Sequence, residues 1–199
     1  MKKLILDKCM NIIKKNTKYN EIKLAEIKYG LEGLYLTFSK LIIIGILAII
    51  LGILKEVIIF LLIFNIMRAP SFGIHASKSW ICLLTSTIFF IGIPTLAINI
   101  KLNTTLKIIM GIISIIGITL YSPADTHKRP IVNKTRRKIY KIISSIISII
   151  FVAISITIKN RFLANCFLFA TILQNILISP LTYKLFNMPY NNYLNYKEE

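Results

Sequence analysis

Residues 35–54 read YLTFSKLIIIGILAIILGIL, with Lys40 as their only charge. A helix of about 20 apolar residues is what crosses a hydrocarbon core roughly 30 Å thick. Similar runs follow at 57–67, 81–98, 106–121, 139–158 and 162–181. The run at 106–121 gains the length it lacks from Thr104 and Thr105, whereas 57–67 is short and must borrow Lys55, Glu56 and the residues up to Ala69. The 199 residues are 55% hydrophobic and have a mean hydropathy of +0.69, far too apolar for a soluble domain. These features predict an all-α polytopic membrane protein with about six transmembrane helices, or five and a re-entrant piece at 57–69.

Lysine and arginine number 25 against 8 acidic residues, a net charge of +17. Such a charge can mark nucleic-acid binding, but its distribution points to a bilayer instead. Lys2, Lys3, Lys8, Lys14, Lys15, Lys18, Lys23 and Lys28 precede the first apolar run. Lys128, Arg129, Lys134, Arg136, Arg137 and Lys138 fall between the fourth and fifth, and only Lys55, Lys101, Lys159 and Arg161 mark the other links. That asymmetry is a positive-inside pattern. It puts both termini, the loop 68–82 and the basic loop 121–138 in the cytosol, with tight external hairpins near 55, 100 and 160. No nucleic-acid partner is expected.

The chain divides on this reading into an inner-surface region at 1–33, a transmembrane domain at 34–183 and a cytosolic tail at 184–199. Lysines and asparagines interrupt the N-terminal apolar residues too often for the hydrophobic core of a cleavable signal peptide. Residues 3–33 read instead as one or two amphipathic helices, Ile5, Cys9, Ile12 and Ile13 sharing one face and Leu24, Ile27, Leu31 and Leu34 another. They suit a helix lying on the inner leaflet, and equally a surface that docks an amphipathic peptide. Cys9, Cys82 and Cys166 are too scattered for a disulfide framework. Cys9 and Cys166 read as small buried hydrophobes. Gln174 and Asn175 lie inside the last span, where polar side chains normally hydrogen-bond a neighbouring helix.

Chemistry has few places to reside. His75 and Cys82 share the one polar stretch, Arg68-Ala-Pro-Ser-Phe-Gly-Ile-His-Ala-Ser-Lys-Ser-Trp-Ile-Cys82, that interrupts the apolar chain. A thiolate is a strong nucleophile, and an imidazole is well suited to generate it near neutral pH. On an unbroken helix residues seven apart are separated by about 10.5 Å along the axis, too far for a catalytic hydrogen bond. Pro70 and Gly73 should break the helix before His75, which then resumes near Ser77 or Ser79 and places Cys82 close to its N-terminus. There the helix dipole lowers a thiol's pKa. Arg68 should pair with a carboxylate or a carbonyl, because an unpaired guanidinium at membrane depth is costly.

Other chemistry is poorly supported. A zinc site needs three or four ligands and only His127 offers a further imidazole, so neither metal nor cofactor is expected. H-E-x-x-H, G-x-S-x-G and paired glutamates in a helix are missing. Asp125 could orient the imidazole, or serve as a turn-forming residue in Pro-Ala-Asp-Thr. Two non-enzymatic readings stay open on the residues alone: a small transporter exporting a peptide or ion with His75 as a proton-coupled gate, and a membrane scaffold.

The spacing Arg-x4-Gly-x-His-x6-Cys, carried by Arg68, Gly73, His75 and Cys82, resembles the active-site signature of the AgrB family of accessory gene regulator proteins. Residues 121–131, YSPADTHKRPI, are similar to that family's Y-x-P-A-D-T…K-P-I loop between its fourth and fifth helices. One departure is Phe72, where many members carry the first of two glycines. The resemblance spans essentially the whole chain. It implies a membrane cysteine endopeptidase that cleaves the C-terminal part of an AgrD-like propeptide through an acyl-thioester. The propeptide then cyclises into the precursor of an autoinducing peptide for quorum sensing. Cys82 would be the nucleophile and His75 the general base, with Arg68 and Gly73 in support. The resemblance also implies a homodimer. Ring size, and thiolactone against lactone closure, are not legible in the chain.

Overall fold

The computed structural model describes residues 2–17, 19–74, 79–126 and 130–196. Eight α-helices occur among them, and no strand. The chain forms two compact units, Met1–Ile50 and Leu51–Glu199.

The first unit holds α1 (Lys2–Asn16) and α2 (Glu21–Ile50), packed on each other. Among the described side chains of α1, Leu6 and Met10 are buried, Cys9 and Ile13 half-buried and Ile12 exposed, while the Ile5 side chain lies outside them. In α2, Leu24, Ile27 and Leu31 are half-buried as expected, but Leu34 is exposed. The amphipathic stretch and the first apolar run fuse here into one helix of 30 residues, about 45 Å long at 1.5 Å per residue. The boundary drawn at residue 33 therefore falls inside a continuous helix. Nothing in Gly30-Leu-Glu-Gly33 carries a proline to stop it.

The second unit comprises α3 (Leu54–Ser71), α4 (Ser79–Asn99), α5 (Thr104–Tyr121), α6 (Lys134–Thr157), α7 (Arg161–Ile178) and α8 (Pro180–Leu185), closed by a 3₁₀ turn at Asn192–Asn195. Three helix starts are set by asparagines whose side-chain oxygens accept the orphan N–H groups of the first turn. Asn103 takes that of Leu106, Asn133 that of Arg136 and Asn160 that of Leu163. Ser179 caps α8, with Pro180 opening it.

Helix α7 is the axis of this unit and touches α3, α4, α5 and α6. Its buried residues lie all round the helix, among them Asn165, Cys166, Leu168, Ala170, Thr171 and Gln174. Asn165 donates from Nδ2 to the carbonyls of Ala97 and Ile100, both at 2.9 Å, satisfying the end of α4. Helix α3 buries Val57, Phe60, Phe64, Met67 and Ser71, one stripe at three- and four-residue spacing. Where Val152 of α6 and Asn175 of α7 meet α5, they stand against Gly111 and Gly117, where a Cβ would collide with them.

Five helices among the described residues are long and apolar enough to cross a membrane: Glu21–Ile50, Trp80–Asn99, Thr104–Tyr121, Lys134–Thr157 and Arg161–Ile178. The protein is an all-α polytopic membrane protein. Helix α3 falls outside the five through composition, since Lys55, Glu56 and Arg68 sit within its 18 residues.

Candidate active site

Helix α3 runs through Pro70, which occupies its last turn, and ends at Ser71. The break expected from Pro70 and Gly73 before His75 thus falls after Ser71, between the two. Phe72 has φ 57° and ψ −129°, and Gly73 has φ 110°, conformations that glycine adopts readily and other residues do not. The chain leaves the helix sharply and enters the segment that carries His75. His75 itself lies outside the described residues, as do Ala76, Ser77 and Lys78.

The stretch 72–74 is pinned from several sides. The Gly73 N–H donates to Ala124 O at 2.8 Å, and the Ala124 N–H to Ser71 O at 3.1 Å, a short parallel bridge. Gln174, reaching from α7, donates from Nε2 to Phe72 O at 2.8 Å. The Ile74 N–H reaches Leu177 O at 3.3 Å. Arg68 donates from Nη2 to Ile74 O at 2.6 Å, so the guanidinium finds the carbonyl partner that its depth requires. Its Nη1 is buried with no hydrogen-bond partner among the described residues. A Cβ on residue 73 would come within 2.6 Å of that nitrogen and 3.1 Å of Leu177 O. Glycine there is what lets the guanidinium lie against the backbone.

Cys82 is the fourth residue of α4, in its first turn, and half-buried. The charge of Arg68 acts on both the Cys82 sulfur and the Tyr183 hydroxyl. The structure therefore gathers Arg68, Gly73 and the Cys82 turn at one end of the second unit.

The Y-x-P-A-D-T loop forms the floor. Asp125 is buried, and its carboxylate accepts backbone N–H groups from Asn192 at 3.0 Å, Tyr193 at 2.9 Å and Ile131 at 3.3 Å. Arg137 Nη1 stands 3.7 Å from Oδ2. Among the described residues these bonds make Asp125 a knot between the loop and the C-terminal segment. The Tyr183 hydroxyl donates to Asp125 O at 2.9 Å. Burial pushes that phenol above its ordinary range, against the opposing pull of Arg68, so it stays a proton donor. Ser122 and Ser144 share a hydrogen bond of 2.6 Å that ties the loop to α6.

Sequence reasoning anticipated a packing role for Gln174 but not its bond to the Phe72 carbonyl. It missed Tyr183, Asn192 and Tyr193 altogether. Residues 184–199 carry no apolar periodicity and read as a tail, whereas Asn192 is fully buried. Thr126 is described, but His127, Lys128 and Arg129 of the basic loop lie outside the described residues. Beside Phe72 a cleft of about 340 Å³ opens between Pro130, Ile131 and Asn133 on one side and Arg136 and Tyr140 on the other.

A family model for accessory gene regulator B matches residues 6–178. The chain is 31% identical to an AgrB-like protein of Listeria monocytogenes serovar 1/2a over 188 residues, 94% of this chain and 91% of that one. It is 28% identical to an AgrB-like protein of Clostridium acetobutylicum over 185 residues, 93% and 88% of the two chains. With the accessory gene regulator protein B of Staphylococcus aureus strain Newman it shares 32% over 158 residues, 79% and 82% of the two. No solved structure matches it significantly. The matched span reaches from α1 to the end of α7 and contains both motif stretches that meet at residues 72 and 124, so the chain belongs to the accessory gene regulator B (AgrB) family.

Proposed function

We propose that this membrane protein serves agr quorum sensing as a cysteine endopeptidase and cyclase for an AgrD-like propeptide, with Cys82 as nucleophile and His75 as general base. The observation that carries the reading is the meeting of three features at one end of the second unit. The Cys82 turn opens α4, Arg68 is close enough for its charge to act on the sulfur, and the backbone leading into His75 is fixed.

His75 takes the Cys82 proton, and the sulfur attacks the carbonyl carbon of the scissile bond. That C–N bond breaks as the imidazolium returns the proton to the departing amine, which leaves with the propeptide's C-terminal fragment. The N-terminal part stays on Cys82 as a thioester. A thiol or hydroxyl within the same peptide then attacks the thioester carbonyl, closing the ring and restoring the Cys82 thiol. No nucleotide triphosphate is required, because the thioester keeps the acyl-transfer potential of the cleaved bond while water is excluded. Arg68 Nη1 is a further donor for the oxyanion that forms at each attack. Cytosolic termini and a homodimer belong to the same reading.

The test is co-expression with a candidate AgrD-like propeptide and mass analysis of the products. Cys82→Ala and His75→Ala should each abolish cleavage with the protein still at its normal level in the membrane. Unimpaired cleavage in Cys82→Ala would remove the nucleophile from the scheme.

A further inference from the structure

A second cleft, of about 490 Å³, lies at the same end of the second unit, between the last turn of α5, the first turns of α6 and the C-terminal segment. Arg137, Lys138 and Lys141 supply its charge, and Tyr121, Tyr190 and Tyr193 its hydroxyls and ring faces. Arg137 is held in place: its guanidinium stacks 3.4 Å above the centre of the Tyr193 ring, with Asp125 behind it. Asp125 spends its oxygens on backbone N–H groups and Arg137, so it neutralises only part of the charge. Lys138 and Lys141 are exposed. Burial raises the Tyr190 phenol pKa, which keeps its hydroxyl protonated as a donor.

The cleft opens onto lipid-facing surface. Leu120, on its rim, ends a stripe along α5 made by Ile109, Ile113 and Ile116, all exposed. Positions spaced by three and four share one side of a helix. An anion bound among the cations would thus have an apolar track beside it, running along the bilayer from headgroup depth. A soluble anion has no use for the track, whereas a phospholipid uses both parts.

We infer that this cleft holds the phosphate of an anionic phospholipid, with Arg137, Lys138 and Lys141 around the headgroup and an acyl chain along Leu120, Ile116 and Ile113. The site is separate from Cys82 and does not depend on the peptidase reading.

The intact protein, in nanodiscs of phosphatidylcholine with a minor share of phosphatidylglycerol, tests this by native mass spectrometry of the lipids it retains on release. Wild type should keep phosphatidylglycerol in preference to phosphatidylcholine. The double variant Lys138→Gln, Lys141→Gln should lose that preference by roughly tenfold to thirtyfold. Lys101→Gln, Lys159→Gln removes equal charge at the opposite end and should leave it intact. Equal retention by wild type and the first double variant would overturn the assignment, as would an equal loss in the second. So would displacement of phosphatidylglycerol by a soluble acidic peptide, which would give the cleft to a peptide instead. Lys138 and Lys141 are exposed, so their loss leaves the fold intact, and a melting temperature equal to wild type checks it.

Discussion

Phe72 holds a backbone conformation that costs a residue bearing a Cβ about 1–3 kcal/mol. It is maintained because bonds from Ala124, Gln174, Leu177 and Arg68 fix the neighbouring residues. Its ring offsets part of the cost by meeting Tyr140 edge-on at 5.1 Å between centroids. Phe72→Gly and Phe72→Ala both delete the ring, so comparing them isolates the backbone. Glycine's extra chain entropy counts against it by about 0.5–1 kcal/mol, and Phe72→Gly should still exceed Phe72→Ala by about 1 kcal/mol. Thermal unfolding in detergent measures the order, and an alanine variant at least as stable as the glycine one would show that the site does not impose this backbone. Arg68→Lys is the second residue-scale test. Lysine keeps the charge but cannot serve Ile74 O and a second acceptor through one planar fork. Propeptide cleavage should fall about tenfold or more, the kinetic equivalent of losing one charged hydrogen bond, with membrane level unchanged. Cleavage at the wild-type rate would confine Arg68 to a role its charge alone can fill.

At the scale of elements, the C-terminal segment is held to the loop by the Asp125 carboxylate. Asp125→Ala removes the acceptor for three backbone N–H groups and leaves Arg137 without its acid. Breaking a buried charged cluster from one side costs about 3–5 kcal/mol. Limited proteolysis should then cut residues 186–196 far faster than in wild type, and the melting temperature should fall. An unchanged digestion pattern would mean that Tyr183 and packing alone hold the segment. This is also where the sequence was least legible. Long apolar stretches identify the membrane helices because that signal is local, whereas the caps Asn103, Asn133 and Asn160 went unread and α6 starts at Lys134, inside the loop drawn to residue 138. The break before His75 was legible from Pro70 and Gly73, since α3 ends at Ser71, one residue after the proline, and Gly73 takes a positive φ. Arg68, Gly73 and Cys82 were singled out through the resemblance of the Arg-x4-Gly-x-His-x6-Cys stretch. Gln174 and Asn192 were not, since their bonds reach Phe72 and Asp125, 102 and 67 residues away.

For the whole molecule, the charges sort to the two ends of the second unit. Arg68, Lys134, Arg136, Arg137, Lys138, Lys141 and Lys184 lie at the end of the candidate site, against Lys55, Lys101, Lys107, Lys159 and Arg161 at the other. Arg161 and Lys107 are partly occupied there, donating to the carbonyls of Ile98 and Ser155. The positive-inside rule predicts that the first end faces the cytosol. Helix α3 then decides the parity of the chain. If its 18 residues cross, about 27 Å of helix, six crossings return both termini to one side. If it enters and withdraws, five crossings separate them. Its apolar stripe lies buried against α7 and α6, which argues for a full crossing, its charged residues being confined to its two ends. The prediction is therefore cytosolic termini. In a chain whose own three cysteines are replaced by serine, Lys8→Cys and Lys184→Cys should both resist a membrane-impermeant thiol reagent in whole cells and react once the cells are opened. Lys101→Cys and Lys159→Cys should react from outside. Opposite behaviour at Lys8 and Lys184 would make α3 re-entrant, and outside labelling at Lys184 with protection at Lys101 would invert the second unit and move Cys82 away from any cytosolic propeptide.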